Sequence, residues 1–82
     1  MKTVRYSPDA RRALKRHANM AGRLLEAISD YATAPSARAN NVTRLVGSPA
    51  RRLRVGDFRI VFEETETEIV VTKIGPRGSI YD

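Results

Sequence analysis

The chain has 82 residues, no cysteine, one histidine and a formal net charge of +6, from 15 Lys plus Arg against 9 Asp plus Glu. Without cysteine there is no disulfide framework, thiolate metal site or cysteine nucleophile, and one histidine excludes a two-histidine metal site within the chain. No apolar run approaches the roughly 18 to 20 residues of a membrane span, and the N-terminus does not resemble a signal peptide. We therefore expect one small, basic, cytoplasmic domain without a metal or cofactor.

The first half of the chain predicts one strand and two helices. Residues 2–6 alternate in the manner of a half-buried strand. Ser7 is suited to cap a helix and Pro8 to occupy its first position. Apolar residues then recur at helical spacing, and Gly22 marks the predicted break before a second helix that ends ahead of Pro35.

The second half predicts three strands after a polar connection at residues 35–48, which holds a short extended piece at residues 42–46. The turn signal Gly56-Asp57 separates the first two strands, and Gly75-Pro76 ends the third, which is predicted to be the buried central strand. The order β-α-α-β-β-β predicts an α+β domain with two N-terminal helices packed on an antiparallel sheet. The three predicted strands are residues 51–55, 58–63 and 69–74.

Arginines dominate the basic residues, and their densest group lies in the predicted hairpin. Alternation puts Leu53 inside and Arg52 and Arg54 outside, and pairing across the turn brings Arg59 to the outer face. Like charges this close destabilise a sheet, whereas a polyanion relieves the repulsion and each guanidinium can hold a phosphate bidentately. The pattern predicts an anion-binding face, with a solvated basic face as the alternative.

The C-terminal residues 75–81 carry a second group of functional side chains. Arg77 offers a cation, and Tyr81 offers a ring that can stack on a base and a hydroxyl that can transfer a proton, although it could equally pack over the sheet edge. Asp57, in the turn, is a weaker alternative base. His17 lies far along the chain from both groups, and we interpret it as a surface or helix-end residue.

Three segments together resemble the RelE/ParE toxin superfamily of type II toxin–antitoxin pairs: Leu45-Val46-Gly47, residues 52–62 and residues 74–81. With the element order, the resemblance covers essentially the whole chain, as a single RelE-like toxin domain at residues 1–82. RelE-like members cleave mRNA, most of them in the ribosomal A site. ParE-like members poison DNA gyrase and generally lack the arginine–tyrosine combination of the tail, so the resemblance implies the RelE-like branch.

The resemblance implies a metal-independent endoribonuclease that uses the RNA 2′-hydroxyl and inhibits translation. The catalytic residues it implies are Arg52, Arg54, Arg59, Arg77 and Tyr81. The arginines would bind the scissile phosphate and stabilise its developing charge, and Tyr81 would handle a proton or stack. The implied partners are mRNA on the ribosome and a cognate antitoxin with an acidic amphipathic segment.

This chain departs from the family pattern at two places. Pro76 stands where many members carry histidine, and Arg52 and Arg54 stand where some carry lysine. Arginine stays protonated and cannot act as a general base. Three other functions stay open: a gyrase inhibitor that acts through helix residues such as Arg16 or Arg23, a nucleic-acid-binding module without chemistry, and a degenerate toxin that only binds its antitoxin.

Overall fold

The computed structural model describes residues 1–80, apart from the side chains of Ala37 and Ala39. In this part of the chain, one five-stranded sheet carries two α-helices and a 3₁₀ helix, which confirms the predicted α+β class. The extended piece predicted at residues 42–46 forms a short fifth strand. The strands are β1 (Thr3–Tyr6), β2 (Val42–Arg44), β3 (Arg51–Val55), β4 (Phe58–Glu64) and β5 (Glu68–Pro76). The helices are α1 (Pro8–Arg16), α2 (Ala18–Thr33) and the 3₁₀ helix Pro35–Asn41.

Helix α1 begins as predicted, with Ser7 as its cap and Pro8 in the first turn. The Ser7 hydroxyl accepts a hydrogen bond from the Ala10 N–H at 3.1 Å and donates one to the Thr72 carbonyl at 2.8 Å. The Ser7 backbone N–H also donates to the Val71 carbonyl at 2.9 Å. One serine therefore satisfies an N–H of the first helical turn and fixes the start of α1 to β5.

The break between the two helices lies at His17, so the predicted break at Gly22 is wrong. Helix α1 ends at Arg16, and the His17 backbone (φ −111°, ψ 51°) turns the chain into α2. Gly22 lies inside α2, because a single glycine lowers helix stability by about 1 kcal/mol but removes no backbone hydrogen bond.

Among the described residues, no helix is long and apolar enough to cross a membrane.

The strand order in the sheet is β1-β5-β4-β3-β2. The neighbours from β2 to β5 are antiparallel, as predicted, whereas β1 runs parallel to β5 with Tyr6 opposite Val71. Turn signals fix only the directions of strands that follow one another. The sequence pattern therefore could not give the direction of β1, whose partner lies at the other end of the chain.

Strand β5 is an interior strand between β1 and β4, and β4 occupies the middle of the sheet. The predicted end at Gly75-Pro76 is wrong, since Gly75 still pairs with Arg59 and Pro76 with Phe58. Pairing with β1 ends at Val71. Beyond that residue β5 is an edge of the sheet, where the missing N–H of a proline breaks no ladder bond.

The sheet has one face covered by α1 and α2 and an opposite face that carries no helix, here named the open face. Because side chains alternate along a strand, β3 and β4 send every second residue to each face. Leu53 faces the helices, whereas Arg52 and Arg54 lie on the open face, as predicted. The core under the helices includes Leu24, Ile28, Leu53, Ile60, Phe62, Ile69 and Val71.

A charged network on the helix-covered face is centred on Glu64, whose side chain is 11% exposed. Its Oε2 accepts from Lys2 Nζ at 2.7 Å, and its Oε1 accepts from the Tyr31 hydroxyl at 2.6 Å and Arg51 Nη1 at 3.2 Å. Burial by itself would raise the pKa of Glu64, but the hydrogen bonds from Lys2 and Tyr31 and the charges of Lys2 and Arg51 bring that pKa below its ordinary value. Burial and the bond to Glu64 raise the pKa of the Tyr31 phenol.

Candidate functional site

The β3–β4 hairpin gathers three arginines on the open face. Arg54 lies directly opposite Arg59 across the two strands, and Arg52 lies opposite Val61, two residues along the same face. Side chains that face each other across antiparallel strands have Cβ atoms about 4.5–5.5 Å apart, and like charges there destabilise the pair. The predicted convergence of Arg52, Arg54 and Arg59 is confirmed, and folding alone does not account for it.

These three guanidinium groups line a polar cleft of about 80 Å³. The other residues of its lining come from the end of the 3₁₀ helix and from β2: Asn40, Asn41 and Thr43. The described lining contains no acidic side chain. The cleft therefore has the charge and the donors that suit a phosphate group.

Arg59 is the most buried of the three arginines, with 8% of the residue exposed. Its Nη1 donates to the Gly56 carbonyl at 3.2 Å and to the Phe58 carbonyl at 3.1 Å. Both acceptors belong to the hairpin turn and the start of β4, so the turn holds this guanidinium in place. A fixed cation loses little side-chain entropy when it binds an anion.

The residues after β5, here named the tail (residues 77–80), turn back beside the hairpin. The Arg77 backbone N–H donates to the Asp57 carbonyl at 2.6 Å, next to the Gly56 carbonyl that accepts from Arg59. Gly78 adopts a left-handed backbone (φ 93°), which favours glycine, and the Ser79 hydroxyl donates to the Pro76 carbonyl at 2.9 Å. The tail is thereby tied to the turn of the arginine hairpin.

Gly75 allows the tail to fold onto the open face. A Cβ atom at this position would lie 2.9 Å from Ser79 Oγ and 3.0 Å from Ile80 Cδ1, closer than side-chain atoms pack. Ile80 is buried in a second, small apolar cluster on this face, formed by Ala50, Val61 and Ile80. Gly75 and Ile80 therefore fix the position of the chain segment that leads to residue 81.

The remaining predicted site residues fall in different places. Arg77 is exposed at the start of the tail and does not line the cleft, and Tyr81 lies outside the described residues. Asp57 is exposed in the turn. His17 is a helix-end residue, as expected. Its ring packs edge-on against Phe58 at a centroid distance of 5.0 Å, on the helix-covered face and away from the cleft.

Sequence reasoning missed Asn40, Asn41 and Thr43. Only the pairing of β2 with β3, which puts Thr43 opposite Arg52, brings these residues to the arginines. A strand of three residues gives almost no periodic signal, although the run of polar residues ahead of it is visible in the sequence.

A larger cleft of about 460 Å³ lies between β1 and α2, lined by residues such as Val4, Tyr6 and Ile28. Lys2 is the only charged side chain in its described lining, and it already pairs with Glu64. Volume alone does not make a site, because recognition of an ionic substrate needs convergent polar groups. The arginine cleft is therefore the better candidate, although it is smaller.

The chemistry of the cleft is that of charge stabilisation. Its described lining offers guanidinium, amide and hydroxyl groups, none of which exchanges a proton readily near neutral pH. Three cations, of which Arg59 is held by the turn, can bind a phosphate and stabilise the negative charge that develops when one of its ester bonds is cleaved. Proton transfer would need another group, from the tail or from the substrate.

The family model that matches this chain is the ParE toxin of the type II toxin–antitoxin system, parDE, over residues 4–81. The chain belongs to this toxin family. The predicted membership of the RelE/ParE superfamily is thereby confirmed, and the protein is a toxin of a type II toxin–antitoxin system. No curated protein matches the sequence at a significant level.

Solved structures with a similar fold include toxin–antitoxin complexes. The RelE–RelB complex from Pyrococcus horikoshii OT3 matches with a TM-score of 0.76 and 24% identity over 96% of this chain and 98% of that chain. The RelB–RelE complex from Methanococcus jannaschii has a TM-score of 0.72 and 23% identity over 95% of each chain. The E. coli DinJ–YafQ complex has a TM-score of 0.76 and 13% identity over 99% and 98%. At these identities the likeness supports the fold.

Proposed function

We propose that this toxin is an endoribonuclease that inhibits translation by cutting mRNA in the ribosomal A site. The observation that carries the proposal is the cleft formed by Arg52, Arg54 and Arg59, with a like-charge pair directly across two strands. A phosphodiester relieves that repulsion and occupies a site of this charge. The RelE-like pattern of the hairpin and tail supports RNA as the polyanion.

The proposed reaction needs no metal. The RNA 2′-oxygen attacks the adjacent phosphorus while the bond from phosphorus to the 5′-oxygen breaks, which leaves a 2′,3′-cyclic phosphate and a 5′-hydroxyl. Arg52, Arg54 and Arg59 stabilise the added negative charge in the cleft, and the exposed Arg77 contributes a fourth cation from the tail, outside the cleft lining. The proton of the 2′-hydroxyl ends on the leaving 5′-oxygen, and Tyr81 relays that proton or stacks on a base.

The isolated toxin is expected to be a slow nuclease. The described lining of the cleft holds no acid–base pair, so the protein supplies charge stabilisation more than proton transfer. The ribosome would hold the mRNA in the reactive geometry, a contribution that can be worth several orders of magnitude in rate. Activity in the cytoplasm, on translating ribosomes, is the corresponding expectation.

The replacement of the common histidine by Pro76 is compatible with activity. Pro76 pairs with Phe58, whose ring packs against His17 on the helix-covered face. Successive strand residues alternate between faces, so this position belongs to the face opposite the arginines. A proline there leaves the charge of the cleft unchanged.

We further propose a cognate antitoxin as partner. The similar solved structures include complexes of RelE with RelB and of YafQ with DinJ. The basic open face is complementary to an acidic amphipathic segment of the antitoxin. This segment would bind the same arginines as the RNA phosphates and so neutralise the toxin.

Induced expression in a bacterium, with primer extension on cellular mRNA, tests the proposed function. The wild type should arrest translation and give codon-phased cuts, and Arg54→Gln should abolish both. Arg11→Gln is the matched control, since it removes one exposed arginine from α1 and should leave the cuts unchanged. Full toxicity of the double variant Arg52→Ala, Arg77→Ala would contradict the assignment of the site.

A gyrase inhibitor is the second candidate function, because the matching family model is the ParE toxin. In that case the cell extract should contain broken DNA and uncut mRNA. Arg16→Gln or Arg23→Gln on the helices should then relieve toxicity, whereas Arg54→Gln should not. The two functions thus predict opposite outcomes in the same set of variants.

A further inference from the structure

Asn40 and Asn41 lie at the end of the 3₁₀ helix and line the arginine cleft together with Thr43. Among the described residues, no hydrogen bond is found for either side-chain amide. Asn40 is exposed and Asn41 half-buried, so both amides are accessible from the mouth of the cleft.

The usual structural reasons for asparagine do not apply here. Asparagine often occurs where the backbone adopts a left-handed conformation or where its side chain closes a local turn. No described residue other than glycine has a positive φ, and neither amide caps a neighbouring backbone group. The local fold therefore gives no reason for two adjacent amides at this position.

The amides differ chemically from the arginines beside them. A guanidinium only donates hydrogen bonds, which suits a phosphate, whereas an amide presents a donor and an acceptor side by side. The edge of a nucleobase presents the complementary donor and acceptor. The cleft is too small to enclose a base, so a phosphate held by the arginines leaves the adjoining base at the mouth, beside the amides.

We infer that Asn40 and Asn41 determine base specificity, by contacting the base next to the phosphate held by the arginines, with a preference for adenine over uracil. This inference rests on the proposed function. Adenine offers an amide the same donor–acceptor pair on two edges, N6 with N7 and N6 with N1, whereas uracil offers a matching pair on its Watson–Crick edge alone. In single-stranded RNA both edges are accessible.

Fluorescence anisotropy with labelled oligoadenylate and oligouridylate of equal length tests the inference. The wild type should bind oligoadenylate at least about fivefold more tightly, which corresponds to about 1 kcal/mol for one bidentate amide–base contact. The double variant Asn40→Ala, Asn41→Ala should bring the two affinities within about twofold. Asn19→Ala is the matched control, since it removes an exposed amide from α2 and should preserve the ratio.

The other outcomes separate this inference from the proposed function. Equal affinities for the wild type, or a ratio unchanged in the double variant, would overturn the base-reading role. The proposed RNA-binding cleft would still stand if Arg54→Gln weakened both oligonucleotides. If neither oligonucleotide bound, the inference would be wrong, and the primer-extension experiment would decide the proposed function separately. Weaker binding of an acidic peptide in the double variant, with the RNA ratio unchanged, would assign the amides to a protein partner.

Discussion

Replacing Gly75 by alanine should detach the tail from the open face without unfolding the domain. The new methyl carbon would lie 2.9 Å from Ser79 Oγ and 3.0 Å from two carbons of Ile80. Ordinary van der Waals contact needs 3.4–4 Å, so these two side chains, or the tail that carries them, must shift. All three contacts come from the tail itself, so movement of the tail can relieve them.

The magnitude follows from the buried side chain that the tail would lose. Ile80 is 9% exposed, and burial of an isoleucine stabilises by roughly 1.5–3 kcal/mol. The loss of even about 1.5 kcal/mol raises the fraction of molecules with an open tail about tenfold. Trypsin should therefore cleave after Arg77 about tenfold faster, because cleavage of a docked segment needs local opening. Mass spectrometry of the loss of residues 78–82 measures this rate.

Two controls decide whether the clash is the cause. Gly22→Ala places a methyl group where nothing lies within 4 Å, inside α2. It should raise the free energy of unfolding by about 0.5–1 kcal/mol and leave cleavage at Arg77 unchanged. In an Ile80→Ala background, Gly75→Ala should raise the cleavage rate by a smaller factor, since the two substitutions affect the same contact between residues 75 and 80. A cleavage rate for Gly75→Ala within about twofold of the wild type would refute the docked tail.

Three further predictions concern stability. Glu64→Gln should cost about 1–3 kcal/mol of unfolding free energy in urea titrations at pH 7, whereas Glu63→Gln on the open face should cost under about 0.5 kcal/mol. Because the folded-state pKa of Glu64 is lowered, its contribution is present above its unfolded pKa and is lost as pH falls through the folded pKa, so the difference from Glu64→Gln should shrink in acid. Leu53→Ala should cost about 2–5 kcal/mol, and exposed Val46→Ala should cost almost nothing in the same titrations. Arg54→Thr should stabilise the fold by about 0.2–1 kcal/mol at low salt while it weakens RNA binding, and a lower melting temperature would contradict the repulsion argument.

The sequence was sufficient for features that depend on neighbouring residues. Ser7 and Pro8 begin α1, and Gly56 marks the hairpin turn, because capping and turn geometry are local. Alternation then placed Arg52 and Arg54 on the correct face, since every second residue of a strand shares a face.

Other features depend on contacts between distant segments and could not be read locally. The parallel pairing of β1 with β5 joins the two ends of the chain. The strand β5 continues through Pro76 only because β1 has already ended, which makes that stretch an edge. Asn41 joins the cleft only through the pairing of β2 with β3. Each of these depends on tertiary packing, which a pattern of neighbouring residues does not contain.

The acidic residues of the last third of the chain explain why the positive charge is available at one place. Glu64 pairs with Lys2 and Arg51 on the helix-covered face, and Glu68 pairs with Arg5 at the edge of the sheet, at 2.6 Å. Within residues 1–80, Arg54 forms no such ion pair, although it faces another arginine. Stability and the proposed function are therefore opposed at Arg54. The variant Arg5→Thr removes a paired arginine from the same face and should show none of the gain expected for Arg54→Thr. An equal gain in unfolding free energy at both positions would mean that the net charge, and not the cross-strand arginine pair, lowers the stability of the fold.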